Sequence, residues 1–102
     1  MRQFDVLENP STRSRAYAPY FIVLQSHHLQ PLESIVLAPV VRDAARPLTP
    51  LDVAVEIAGE RLAVAMAELA SVDRQHLGKV VTNVGDLEYD FRRAIDRLFT
   101  GF

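Results

Sequence analysis

The apolar residues of this chain change period once, near Asp86, and that change sets the fold class. Before it they alternate or form short solid runs. After it they fall three and four apart, at Leu87, Phe91, Ala94, Ile95 and Leu98. A period of two belongs to strands and a period of about 3.6 to a helix. Asp86, Glu88 and Asp90 open the terminal segment and Arg92, Arg93 and Arg97 close it, the order that complements a helix dipole. Asp86, following Gly85, reads as the N-cap. Gly101 stands where a helix-terminating glycine is expected, with Phe102 as the apolar residue that closes over the last turn. Strands followed by one segregated helix make an α+β chain, its helix lying on an antiparallel sheet.

The strongest strand signal is "DVAVEIAGERLAVAM" at 52–66. Val53, Val55 and Ile57 alternate with polar or small residues, and Leu62, Val64 and Met66 do so after a break at Ala58, Gly59 and Glu60. Gly59 accepts the positive φ of a tight turn, so the segment reads as a β-hairpin. "QFDVL" at 3–7 reads as a short amphipathic strand, and "YFIVLQS" at 20–26 as a central one buried on both faces. "SIVLAPVV" at 34–41 is a further strand, in which Pro39 implies an edge position, a strand end or a bulge. "ENPSTRSRA" at 8–16 and "RDAARPLTP" at 42–50 are loops; "ELASV" is expected to bend the chain and "HLGKVVTNV" to add one short strand.

With 102 residues the chain is expected to form a single domain over 1–102. A net charge of −2 and a pI near 5.9 offer no electrostatic case for general nucleic-acid binding. The absence of cysteine excludes disulfides and thiolate chemistry. "MRQFDVLEN" has no apolar core of a secretory signal and no run reaches the length of a membrane span, so a cytoplasmic, membrane-free setting is expected.

Catalytic chemistry finds little support in the residues. His27 and His28, as neighbours on an extended chain, point to opposite faces, and His76 is remote, so no metal or cofactor site is expected. A ribonuclease would pair a histidine with Arg13 or Arg15 for acid–base work and phosphate binding, but no spacing enforces that geometry. The helix end is different. "RRAIDRLFTGF" carries Phe99 and Phe102 in its last four residues, and an exposed apolar helix tip is a candidate contact surface.

Taken in order, "QFDV", "VLQS", "VEIAGERL", "LASV" and "AIDRLFTGF" resemble the CcdB family, toxins of type II toxin–antitoxin pairs that poison DNA gyrase. The resemblance covers essentially the whole chain. It implies an antiparallel sheet with a small subsidiary sheet and one C-terminal helix (the CcdB/MazF-like, SH3-like barrel), assembled as a two-fold homodimer. It implies a non-enzymatic mechanism, without catalytic residue, cofactor or metal. Paired helix ends insert between the two A chains of DNA gyrase and trap the enzyme after DNA cleavage. Carried over by position, the gyrase-facing set is Ser26, His28, Leu29, Asp96, Thr100, Gly101 and Phe102.

The family has tryptophan where this chain has Thr100, and that indole stacks on a gyrase arginine. It usually has an apolar residue at His28, asparagine at Asp96 and isoleucine at Phe102. A CcdA-like antitoxin is implied as partner, its disordered tail wrapping the loops, with Arg13, Arg15, Arg42 and Arg46 as anchors for acidic groups. DNA is met only through the antitoxin complex, in operon autoregulation; plasmid maintenance is the associated role. Two alternatives stay open. One is a non-poisoning relative that keeps antitoxin binding; the other is a MazF-like endoribonuclease using His27, His28 and the loop arginines.

Overall fold

The computed structural model describes residues 1–29, 33–42 and 49–101. Among them seven strands precede one helix: β1 (Asp5–Glu8), β2 (Tyr20–Val23), β3 (Ser34–Arg42), β4 (Asp52–Ile57), β5 (Glu60–Ala65), β6 (Ala70–Asp73), β7 (Val80–Asn83) and α1 (Glu88–Thr100). They form one curled antiparallel sheet in the order β4-β5-β3-β2-β1-β7, with β6 also paired to β3. The period change near Asp86 therefore marks the strand-to-helix boundary, and the fold is the α+β arrangement expected.

The β4–β5 hairpin turns on Ala58 and Gly59, with Ile57 opposite Glu60. Both turn residues have positive φ, 53° at Ala58 and 79° at Gly59, the geometry of a two-residue primed turn. An alanine there places its Cβ against a carbonyl at a cost of roughly 1–2 kcal/mol, which glycine escapes. Ala58→Gly is accordingly expected to raise the stability of the domain by about 0.5–1 kcal/mol in chemical denaturation; a loss of stability would show the turn to be set by other contacts.

β3 is the spine of the sheet and resolves the puzzle of Pro39. On one side it pairs with β2, Phe21 opposite Pro39. Leu24 N–H reaches the Val36 carbonyl at 3.0 Å, so even-numbered residues of β3 turn their backbone polar groups toward β2 and odd-numbered ones away. On that other side, pairing with β6 ends at Leu37 opposite Ala70, and pairing with β5 begins at Val40 opposite Val64. Pro39 lies in the gap, where no N–H is called for. It marks neither an edge, an end nor a bulge, but the place where one strand changes partners.

Three further expectations are corrected by tertiary context. The first strand begins at Asp5 rather than Gln3, because Phe4 adopts φ 69° while its N–H and C=O bond to Val23 and Val84. "ELASV" does not merely bend: Met66–Glu68 forms a 3₁₀ turn, and Ala70–Asp73 is a strand whose mostly exposed side chains gave no amphipathic signal. Asp86 is not the helix N-cap. It sits inside a 3₁₀ turn, Gly85–Leu87, and the side chain that accepts the Gly85 N–H is Asn83, at 2.8 Å.

The main core lies between the sheet's concave face and α1. Val6, Ile22, Ala38, Val40, Val64 and Met66 supply a floor with essentially no solvent exposure, and Phe91 and Ala94 come down on it from the helix. Phe91 stacks on Phe4 with ring centroids 5.1 Å apart. A second, smaller cluster of Leu7, Val23, Ile35 and Leu37 covers the opposite face, which explains why the middle of the sheet reads as solid apolar runs.

Candidate functional site

Strand β2 delivers its C-terminal end toward the end of α1. Past Val23 the chain is held to β3, since Gln25 Oε1 accepts the Val36 N–H at 3.3 Å. Ser26 follows, its Oγ accepting the His28 N–H at 3.2 Å, and the chain turns through a 3₁₀ segment, His27–Leu29. Ser26 is half-buried and His28 exposed.

Across from Ser26 lies one side of α1. Ser26 lines an apolar groove of about 370 Å³ together with Leu24, Gln25, Val36, Leu69, Ile95 and Phe99. Two segments separated by some seventy positions in the chain thus meet at one surface. On the helix, Asp96, Thr100 and Gly101 are all exposed. Asp96 and Thr100 are one turn apart, and the Thr100 hydroxyl donates to the Asp96 carbonyl at 2.5 Å. Gly101 has φ 79° and its N–H bonds the Arg97 carbonyl at 3.0 Å, the left-handed stop anticipated for it. Phe102 lies outside the described residues, and so does its closure over the last turn.

Phe99, which the sequence places in the apolar helix tip, falls outside the gyrase-facing set carried over from the resemblance. It is 69% exposed at the groove's rim, beside Thr100 and one turn beyond half-buried Ile95. It is an aromatic residue outside the three-and-four set that Leu98 completes.

The arginines assigned to antitoxin binding divide. Arg13 is exposed and Arg46 lies outside the described residues. Arg15 and Arg42 are brought together, lining a cleft of about 240 Å³ with Glu8, Pro19 and Tyr20. Arg15 Nε donates to the Asn9 carbonyl at 3.0 Å, and Arg42 Nε to the Ala16 carbonyl at 2.8 Å, while Arg42 Nη1 pairs with Glu60. Buried Asn9 organises the loop behind them: its amide donates to Ala18 O (2.7 Å) and Ser14 Oγ (2.9 Å), and its Oδ1 accepts from Ser11 N–H (2.9 Å). The "NPS" turn signature is what could have revealed it.

The rings of His27 and His28 are tilted against each other with centroids 4.5 Å apart and sit beyond the C-terminal end of β2, whereas Arg15 and Arg42 flank its N-terminal end at Tyr20. One chain does not bring the histidines and these arginines into a common site. His27 Nδ1 is buried without a hydrogen-bond partner among the described residues. Among those residues no group of three or more His, Asp or Glu could hold a metal ion, and no helix is long and apolar enough to cross a membrane.

Comparisons with known proteins agree with this fold. A family profile described as CcdB protein matches residues 3–101. No curated protein sequence matches the chain. Among solved structures, an endoribonuclease in complex with its cognate antitoxin, from a mycobacterial species, is similar with TM-score 0.78 at 11% identity, over 98% of this chain and 95% of that one. A crystal structure of an Mtb toxin gives 0.75 at 15% identity, over 92% and 99%. The Mycobacterium tuberculosis toxin MazF-mt6 gives 0.73 at 17% identity, over 97% of each. At such identities these likenesses establish the CcdB/MazF-like fold.

Proposed function

The chain belongs to the CcdB family, and from that premise we propose that it is the toxin of a type II toxin–antitoxin module. It acts as a homodimer, binds the A chain of DNA gyrase through the end of α1, and is neutralised by a CcdA-like antitoxin. The action is binding rather than catalysis. The observation that carries the reading is the meeting of Ser26 with the last turns of α1 around an exposed apolar groove. The positions that the family resemblance assigns to the target contact come from two distant segments; of them Ser26 lines this groove, with Ile95 and Phe99 of the helix that also carries Asp96, Thr100 and Gly101. The solved relative bound to its cognate antitoxin supports an antitoxin as partner.

A specific observation favours a weakened form of this activity. Where the family carries tryptophan, Thr100 turns its hydroxyl back onto its own helix at 2.5 Å and offers neither a π face nor much apolar area. Phe99 supplies exposed aromatic surface nearby, but about 100° away around the helix. The protein therefore keeps the platform of the tip and lacks its strongest anchor. The endoribonuclease alternative finds no such support from Arg15 and Arg42, which lie at the opposite end of β2 from His27 and His28.

Expression in a host with sensitive gyrase tests the reading, with covalent gyrase–DNA complexes measured directly. Growth inhibition with trapped complexes, at a higher dose than a family toxin with the tryptophan needs, is the expected result. Normal growth without trapped complexes would leave only the non-poisoning relative that retains antitoxin binding and operon control.

A further inference from the structure

The flank of α1 turned away from the tip groove carries a recess of a different character. Asp90, Arg93 and Arg97 stand at intervals of three and four, so they share one face of the helix, and all three are exposed. Arg97 and Phe99 are two residues apart and so point about 160° apart around the axis. That puts the arginine face opposite the groove that Ser26 lines. A space of about 330 Å³ separates it from the start of β4, where Asp52, Val53 and Ala54 line the other side.

The charges on this face are unmatched within the chain. On the adjoining face Arg92 pairs with Glu88 at 2.7 Å, the favourable arrangement one turn apart. Arg97 instead has Arg93 one turn before it, a like charge. Arg93 lies over the Tyr89 ring at 5.7 Å, a contact through its flat face that leaves the N–H edge available. Among the described residues neither guanidinium has a carboxylate within ion-pair distance, although Asp90 is only three positions before Arg93. A planar carboxylate is satisfied by one arginine fork, whereas a tetrahedral phosphate has oxygens for two. The acids at the rim then limit what carries that phosphate. Asp52, whose Oδ2 accepts the Thr49 N–H, and Asp90 both repel the successive charges of a phosphodiester strand. A single phosphate on a hydroxylated body escapes that penalty, because a hydroxyl donates to a carboxylate. The volume stands at the lower end of the usual range for ligand pockets, about 300–1,000 Å³, and suits a small molecule.

We infer that the recess between α1 and β4 binds a small phosphate monoester, its phosphate held by Arg93 and Arg97 and a hydroxyl of its body by the Asp90 carboxylate. Asp90 thus has two opposed effects. It is a like charge beside the phosphate, and it is the acceptor that favours a hydroxylated ester over free phosphate. The inference stands independently of the gyrase reading, since the recess shares no residue with the tip groove.

The test is calorimetric titration of the full chain with inorganic phosphate and with ribose 5-phosphate, at ionic strength held constant with sodium chloride. Ribose 5-phosphate is expected to bind about fivefold tighter than phosphate, through the added hydroxyl contact. Arg97→Gln is expected to weaken both about tenfold, with the loss of a charge-assisted fork. Asp90→Asn is expected to tighten inorganic phosphate about threefold, because an exposed like charge is removed, and to narrow the advantage of ribose 5-phosphate. Asp90 stands in the first turn of α1, where a negative charge favours the helix, so its removal cannot raise affinity by improving the fold. The gain therefore separates recognition from stability. Absence of binding by either probe at millimolar concentration overturns the proposal, as does unchanged binding in Arg97→Gln. Unchanged or weaker phosphate binding in Asp90→Asn overturns it too, and so does equal affinity of the parent chain for the two probes. Displacement of ribose 5-phosphate by a single-stranded oligouridylate, with steep salt dependence, would make the recess a nucleic-acid site and also overturn it.

Discussion

Thr100→Trp is expected to strengthen binding to the gyrase A chain by up to roughly a thousandfold. A buried tryptophan anchor is commonly worth about 2 kcal/mol or more, and a two-fold dimer uses the position twice, so about 4 kcal/mol is available. The substitution is tolerated by the fold. Thr100 is exposed in the last turn of α1, and its hydroxyl bonds only back to the Asp96 carbonyl within its own helix. Titration of the purified gyrase A chain with both proteins, alongside counts of covalent gyrase–DNA complexes, reads the effect. A gain well above tenfold would show the rest of the tip to be competent. No gain would locate the obstacle at the other departures from the family, His28, Asp96 or Phe102, and Asp96→Asn in the tryptophan background is then the informative second step.

Phe91→Ala is expected to cost about 3–5 kcal/mol of folding stability, the usual penalty for emptying a fully buried aromatic site. Phe91 has no exposed surface, and its ring stacks on Phe4, whose strained backbone is tied to both β2 and the segment entering α1. Loss of the stack adds about 0.5–1.5 kcal/mol to the area term. Against a typical domain stability of about 5–15 kcal/mol, the variant is left near its threshold. Urea denaturation should show a large fall in midpoint, and Phe91→Leu a much smaller one. A loss below about 1 kcal/mol would mean that α1 is held by contacts other than this stack. The functional consequence follows from geometry: the helix that carries the tip is seated chiefly through Phe91 and Ala94, with Leu87 and Ile95 half-covered.

Much of the fold was legible because its signals are short-range. The β4–β5 hairpin announced itself by alternation on both sides of Gly59, and α1 by its period and its glycine stop, both being matters of local sterics and one-sided burial. What escaped notice depended on partners. β6 carries exposed side chains and is a strand only because Ser34 to Leu37 of β3 offers it a ladder. Asp86 supplies no cap to α1; the side chain that organises the helix entrance is Asn83, whose Oδ1 accepts the Gly85 N–H and whose amide donates to Asp5 Oδ1 and the Gln3 carbonyl, tying that entrance to the start of the chain.

The candidate site divides in the same way. The sequence alone determined that the chain is α+β with one terminal helix, that the helix stops at Gly101, and that its end carries apolar and polar residues with no catalytic pattern. Period and backbone sterics act over a few residues and need no tertiary knowledge. Only the tertiary structure decided that Ser26 faces Ile95 and Phe99 across one groove, that Arg15 meets Arg42, and that neither arginine stands near His27 or His28. Those proximities follow from the strand register and the curl of the sheet. A shift of one residue in register would have turned each side chain of the strand to the other face.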